Sequence, residues 1–187
     1  ISTSPAITET LFELGLKDRV IAITDFCKYP KEACRLPSIG GINPNMETIV
    51  SLTPDLIIHQ PGNQSLNNNA KNMGIKTFEV RMGNLEEIFS SIKKLGVALN
   101  CKEQANKLIL HLTSGIAFYQ ERLKVLPKKE VLLLLGDSSD PAHDLYAAGP
   151  DTLLNELLDL SGGENIIRDS PARYPKLSKE YIIKKSP

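Results

Sequence analysis

The sequence predicts an α/β protein of two lobes, each built on a central and mainly parallel sheet and joined by one long rigid helix. Three observations predict it. Short β-rich runs alternate with helical stretches over residues 1–83, the pattern of a parallel sheet with helices on both faces. One unusually long amphipathic stretch follows, and a fresh β run starts beyond it. The long stretch is Lys102 to Leu126, bounded by Asn100 and Cys101 before it and Pro127 after it. Its apolar residues Ala105, Leu108, Ile109, Leu112, Ile116, Tyr119, Leu123 and Leu126 recur at steps of three and four. A helix over that stretch runs ~37 Å at 1.5 Å per residue, more apolar stripe than one small lobe has surface to cover. The expected division is therefore 1–83 for the first lobe, 84–126 for a helical connector including the backbone helix 102–126, and 127–187 for the second lobe.

In order along the chain, Ser4-Pro5 followed by AITETLFELG reads as a capped helix start, with Ile7, Leu11 and Leu14 on one face and Gly15 ending it. Arg19 to Thr24 is a β-rich run with a polar loop after it. Asp55 to His59 and Lys76 to Val80 are two further strands, with helices at Ile49 to Leu52 and Leu66 to Met73 between. Asn84 to Leu99 is a helix leading into the long one. Val131 to Gly136, VLLLLG, is expected as a strand buried on both faces of a parallel sheet. Gly149-Pro150 opens a helix through Leu160, which Gly162-Gly163 closes with a left-handed cap.

An internal echo links the two halves. Glu47 to Pro54 reads ETIVSLTP and Glu180 to Pro187 reads EYIIKKSP, and in each a cap residue, Asn45 or Ser178, stands two places before the acid. The first copy runs on into a strand, whereas the second stops at its proline, which predicts an incomplete second lobe. Both glutamates fall in the first turn of a helix, where a carboxylate offsets the helix dipole. Their matched placement also suggests two carboxylates presented to two basic partners.

Composition narrows the function. Lys plus Arg and Asp plus Glu are each 22, so there is no basic excess and no nucleic-acid partner is expected. Apolar runs such as Val131 to Leu135 are too short to cross a bilayer, so any membrane tie is expected through an anchor or a partner. The sequence opens at Ile1 with no Met and no signal peptide, as a mature or trimmed chain does. Cys27, Cys34 and Cys101 form no C-x-x-C pair and no zinc spacing. Cys27 and Cys34 are close enough to bridge a loop in an oxidising compartment, or they remain thiols; both readings stay open.

No nucleophile with a base is visible, and no glycine-rich phosphate loop follows a strand. The loop Gly136 to Tyr146 gathers Asp137, Asp140, His143 and Asp144 after a strand, where open α/β sheets bind ligands; it reads as a hard-metal site or as a solvated acidic turn. A metal-dependent α/β enzyme using Asp137, Asp140 and His143 is the alternative this loop supports. His59 ends its strand in the equivalent place of the first lobe. Phe26, Tyr29, Tyr146 and Tyr174 are expected in loops, where aromatic rings stack on a broad ligand or plug the edge of a core.

These residues carry a resemblance. SPAITETLFELGLKDRVIAITDFCKYP, LPSIGGINPNMETIVSLTPDLII, YAAGPDTLLNELLDLSGGENII and YPKLSKEYIIKKSP resemble, in order, the substrate-binding proteins of ABC importers for vitamin B12, ferric siderophores and haem, the helical-backbone class of periplasmic binding proteins. The resemblance implies two Rossmann-like lobes, a ligand clasped in the cleft, and no catalysis and no cofactor of the protein's own. It implies a cargo that is a corrinoid such as cobalamin or a ferric siderophore, with haem as a narrower option using His59, His143 or Tyr146 as axial ligand. The implied ligand-binding positions are Phe26 and Cys27 in TDFC, Tyr29, Gly41 or Ile42, His59 and Gln60, Tyr146, and Tyr174 in RYP. Glu47 and Glu180 take the docking positions that meet arginines of the permease dimer. The family works in the periplasm or on the extracellular face, in some cases lipid-anchored. The tryptophans that hold cobalamin in some members are missing here, and the family continues past Pro187. A relative that acts as a sensor without a transporter is a third reading.

Overall fold

A computed structural model describes residues 1–136 and 145–185, and for Lys185 the backbone alone. The described residues form an α/β structure with parallel strand pairs, divided into two compact units. The first comprises Ile1–Met82 and Glu86–Ile109, the second Gly83–Leu85 and Leu110–Pro187.

In the first unit, helix α1 (Pro5–Glu13) starts where the sequence places it. The Ser4 hydroxyl accepts the N–H of Ile7, and proline occupies the first turn where no donor is lost. Helix α2 (Met46–Ser51) is capped by Asn45, strand β1 (Leu56–His59) follows, then α3 (Gln64–Asn72) and strand β2 (Lys76–Glu79). β1 and β2 pair in parallel, Leu56 opposite Lys76 through His59 opposite Glu79. More of the sheet is present than these two strands. Thr3 N–H donates to Ile58 O, Ser2 N–H to Ala22 O, and Ile39 N–H to Ile23 O, so extended segments stand in the order 37–40, 22–25, 1–3, β1, β2. The expected strand Arg19 to Thr24 is corrected by this. Lys17–Arg19 is a 3-10 turn, and only Ile23 forms a bridge, parallel to Ser38, because the backbone is extended but paired intermittently.

Two clusters of buried apolar residues fill the unit. Ile7, Leu11, Leu14, Ile92 and Leu95 belong to one and Ile39, Ile49, Ile57 and Leu66 to the other. Ile92 and Leu95 lie on helix α4 (Leu85–Ala98), whose buried face also carries Ser91 and Gly96. Helix α5 (Lys102–Leu123) is the long amphipathic stretch, three residues shorter than expected. Its only residue buried among those described is Ala105.

The second unit departs further from expectation. VLLLLG is not one strand. Strand β3 (Lys129–Val131) pairs in parallel with β6 (Gly163–Asn165), while β4 (Leu134–Leu135) pairs antiparallel with β5 (Leu145–Ala147). β5 in turn pairs antiparallel with β7 (Lys176–Leu177). An apolar run states that a backbone is extended and avoids water; it does not state which neighbours it pairs with, and here it divides between two sheets. Leu134 is exposed, so the run is not buried on both faces either. Helix α6 (Leu153–Leu160) starts at Thr152, whose hydroxyl accepts the N–H of Asn155. Gly162 sits at φ +80° and supplies the left-handed ending expected after that helix. Helix α7 (Lys179–Lys185) is the last element described.

Candidate functional site

The loop after the 22–25 segment carries the first group of predicted residues, and buried polar contacts fix its shape. Thr8 of α1 has no exposed surface, and its hydroxyl bonds to Ser2 Oγ at 2.8 Å and to Cys27 Sγ at 3.2 Å. The Cys27 sulfur also meets Thr24 Oγ1 at 3.3 Å. Cys27 is thus an anchor inside the unit, while its neighbours Phe26 and Tyr29 remain 53% and 62% exposed. On the other side of the loop, Asp25 N–H donates to Gly40 O and the Ser38 hydroxyl donates to Asp25 Oδ1, which draws segment 38–41 alongside. Phe26 then lies against Gly41: a Cβ at position 41 would stand 3.4 Å from Phe26 Cζ. Phe26 and Gly41 are brought together, and Ile42 beside them is 82% exposed.

His59 and Gln60 close β1. His59 is buried, with its Nδ1 3.0 Å from Gln60 O; Gln60 Nε2 donates to Ser4 Oγ at 3.0 Å, tying the end of the strand to the start of α1. Sequence reasoning missed Thr8 and Thr24. The available signal was a threonine between Ile7 and Leu11 on the apolar face of α1, a position that buries a hydroxyl and therefore requires a partner.

In the second unit Tyr146 lies within β5 and not in a loop, opposite Leu135 on one side and Lys176 on the other. The ladder continues past the strand ends, with Ala147 N–H donating to Pro175 O at 3.0 Å and Gly149 N–H to Arg173 O at 2.8 Å. Tyr146 on β5 and Tyr174, two residues before β7, are both exposed. Gly149 permits the ladder's approach, since a Cβ there would be 2.6 Å from Ala172 O. Asp137, Asp140, His143 and Asp144 lie outside the described residues.

Glu47 and Glu180 occupy matching local structures. Asn45 Oδ1 accepts Thr48 N–H at 3.0 Å, and Ser178 Oγ accepts Tyr181 N–H at 3.1 Å, so each glutamate is the second residue of a capped helix. Both side chains are exposed. The carboxyl of Glu180 is held below the usual carboxylate range, first by its own backbone N–H and then by the Ser178 hydroxyl. All three cysteines stand as thiols in this structure, with Cys34 exposed and Cys27 and Cys101 buried.

The whole chain, residues 1–187, matches the family described as periplasmic binding protein. An ABC transporter substrate-binding lipoprotein of Bacillus subtilis is 31% identical over all of this chain, which spans 60% of that protein's length. The vitamin B12-binding protein of Photorhabdus laumondii is 30% identical over the full chain, covering 67% of it. Among solved structures, a possible iron-binding periplasmic solute-binding protein of Staphylococcus epidermidis superposes with a TM-score of 0.83 at 26% identity, over all of this chain and 73% of that one. A periplasmic haem-binding protein from Roseiflexus superposes with a TM-score of 0.87 at 23% identity, over 100% of this chain and 73% of that one, a likeness of fold. These relatives are named as substrate-binding or solute-binding proteins.

Proposed function

The chain belongs to the periplasmic binding protein family, and on that premise we propose that it captures a metal chelate outside the cytoplasm and delivers it to an ABC importer. The cargo in this reading is a corrinoid or a ferric siderophore. The observation that carries it is the exposure of Phe26, Tyr29, Tyr146 and Tyr174 in a chain with only five tyrosines and five phenylalanines. Rings left in water are costly unless a broad ligand covers them, and a corrin or a chelated iron presents such a surface. Phe26 over the bare backbone of Gly41 offers a flat apolar contact, and the exposed Tyr146 and Tyr174 offer further rings. Cys27 serves from beneath by holding the loop, and Gln60 ties the end of β1 to α1 near His59.

Delivery in this reading uses Glu47 and Glu180. Each sits on a helix whose start is fixed by its own cap, so the carboxylates are presented at a defined point to cationic groups of a permease dimer. The protein itself carries no cofactor, and its place is the periplasm or the extracellular face, with or without a lipid anchor.

A second reading is haem, and the accessible phenol of Tyr146 favours it as the axial ligand over His59, whose imidazole is buried against Gln60. Calorimetric titration of the chain with cyanocobalamin, cobinamide, haem and ferric hydroxamate and catecholate chelates tests both. Saturable binding by one class, lost on Phe26→Ala, supports the proposal and names the cargo. Absence of binding by all four classes overturns it. Charge reversal at Glu47 and Glu180 together is expected to abolish uptake with cargo affinity unchanged.

A further inference from the structure

The loop that carries Tyr29, directly after Phe26, begins at Cys27 and ends at Cys34, and both ends are fastened to the same core. Cys27 is held by Thr8 and Thr24, while Ala33, fully buried beside Cys34, belongs to the same apolar cluster as Cys27. Ala33 N–H donates to Pro30 O at 2.9 Å and opens a short 3-10 turn, Ala33–Arg35, which turns the Cys34 side chain back into the loop. As a result the Cys34 thiol points at the Cys27 carbonyl oxygen, 3.8 Å away, and at Pro30 O, 3.9 Å away. This sets the Cys34 sulfur against the backbone of Cys27, whose own sulfur faces Thr8 and Thr24, so a bridge requires the Cys27 side chain to turn away from those hydroxyls. The contacts that hold Cys27 in its present rotamer are weak sulfur–hydroxyl bonds, readily exchanged.

We propose that Cys34 and Cys27 are an oxidisable pair, and that a small disulfide in the surroundings converts them to an intrachain bridge that closes residues 27–34 into a ring beside Phe26. Exposed Cys34 reacts first. Its thiolate attacks the external disulfide, forming a mixed disulfide and releasing one small thiol. Cys27, as thiolate, then attacks the Cys34 sulfur and expels the second small thiol. Two protein thiols lose two electrons and two protons, and the external disulfide takes them up as two thiols. Cys101 stands outside this exchange, since burial pushes its thiol up and away from the reactive thiolate.

The test is incubation of the folded chain with oxidised glutathione, an acid quench, and intact mass with non-reducing peptide mapping. The expected product has lost two hydrogens and yields a peptide linking residues 27 and 34. Cys34→Ser is expected to leave both remaining thiols unreacted. Cys27→Ser, which keeps a hydrogen-bonding group between Thr8 and Thr24, is expected to stop at one glutathione on Cys34. A lasting glutathione adduct on the unsubstituted chain, a link from Cys34 to Cys101, or a dimer joined through Cys34 would each overturn the proposal. Circular dichroism of both variants separates a lost partner from a lost fold.

Discussion

The two units solve the same problem by different chemistry. The first hides fully buried isoleucines and leucines, with Ile7, Leu14, Ile39, Ile49, Ile57, Ile92 and Leu95 at the centre. In the second, the buried apolar residues among those described are Ala147, Ala148, Leu158 and Ile167. Its interior is organised by an amide. Asn165 Nδ2 donates to Ala148 O and to Asn155 Oδ1, both at 2.8 Å, while its Oδ1 accepts Ile167 N–H at 3.1 Å. Thr152 beside it donates to Gly149 O at 2.8 Å. Apolar burial is tolerant of small shifts because it is non-directional, whereas a satisfied amide holds its partners to one geometry and leaves them all unpaired if it is removed. One chain thus places exposed aromatics over either kind of interior.

Leu95→Ala separates the two interiors most strongly. Removal of that fully buried side chain is expected to lower stability by about 2–5 kcal/mol, with loss of amide hydrogen-exchange protection concentrated in residues 1–82 and 86–109. Equal loss across residues 110–185 would show that the units do not differ in this way. Next comes Asn165→Ala, which leaves buried donors and acceptors on Ala148, Asn155 and Ile167 without their partner and is expected to cost about 1–3 kcal/mol. Exchange should rise in β6 and α6 and stay unchanged in α1 and β1.

Smaller effects probe the two matched helices. Asn45→Ala and Ser178→Ala each remove one cap, worth about 1 kcal/mol, and denaturant titration should show similar losses in the two units despite their different interiors. Smallest is the titration of Glu180. Its carboxyl ionises below the ordinary range, so its small contribution is present above the unfolded value and is lost as pH falls through the folded one. Carbon-detected NMR should place it below an unperturbed glutamate, and Ser178→Ala should move it upward.

What was legible in the sequence was local. Ser4-Pro5, Asn45, Ser178 and Gly162 mark helix ends by chemistry that acts within a few residues, and each stands where it was expected. What was not legible needed a partner distant in the chain. Leu132 and Leu133 gave no sign that the apolar run divides between two sheets, since both sheets want the same side chains. Tyr146 looked like a loop residue because its strand is three residues long and acquires its partners from 134–135 and 176–177. Asn165, in the run GENII, carried one faint sign, an amide among apolar neighbours, but nothing in sequence named Ala148 as its acceptor. The same limit applies to the candidate site, where Phe26 was visible as an aromatic and its seat on Gly41 was not.

The cap that starts each glutamate's helix is a local device. In Asn45 to Ser51 and Ser178 to Lys185 the cap bond begins and ends within four residues, and the first helix is also seated by fully buried Ile49. A change inside either unit that leaves the cap and its helix in place therefore leaves the acid at the same step from its cap.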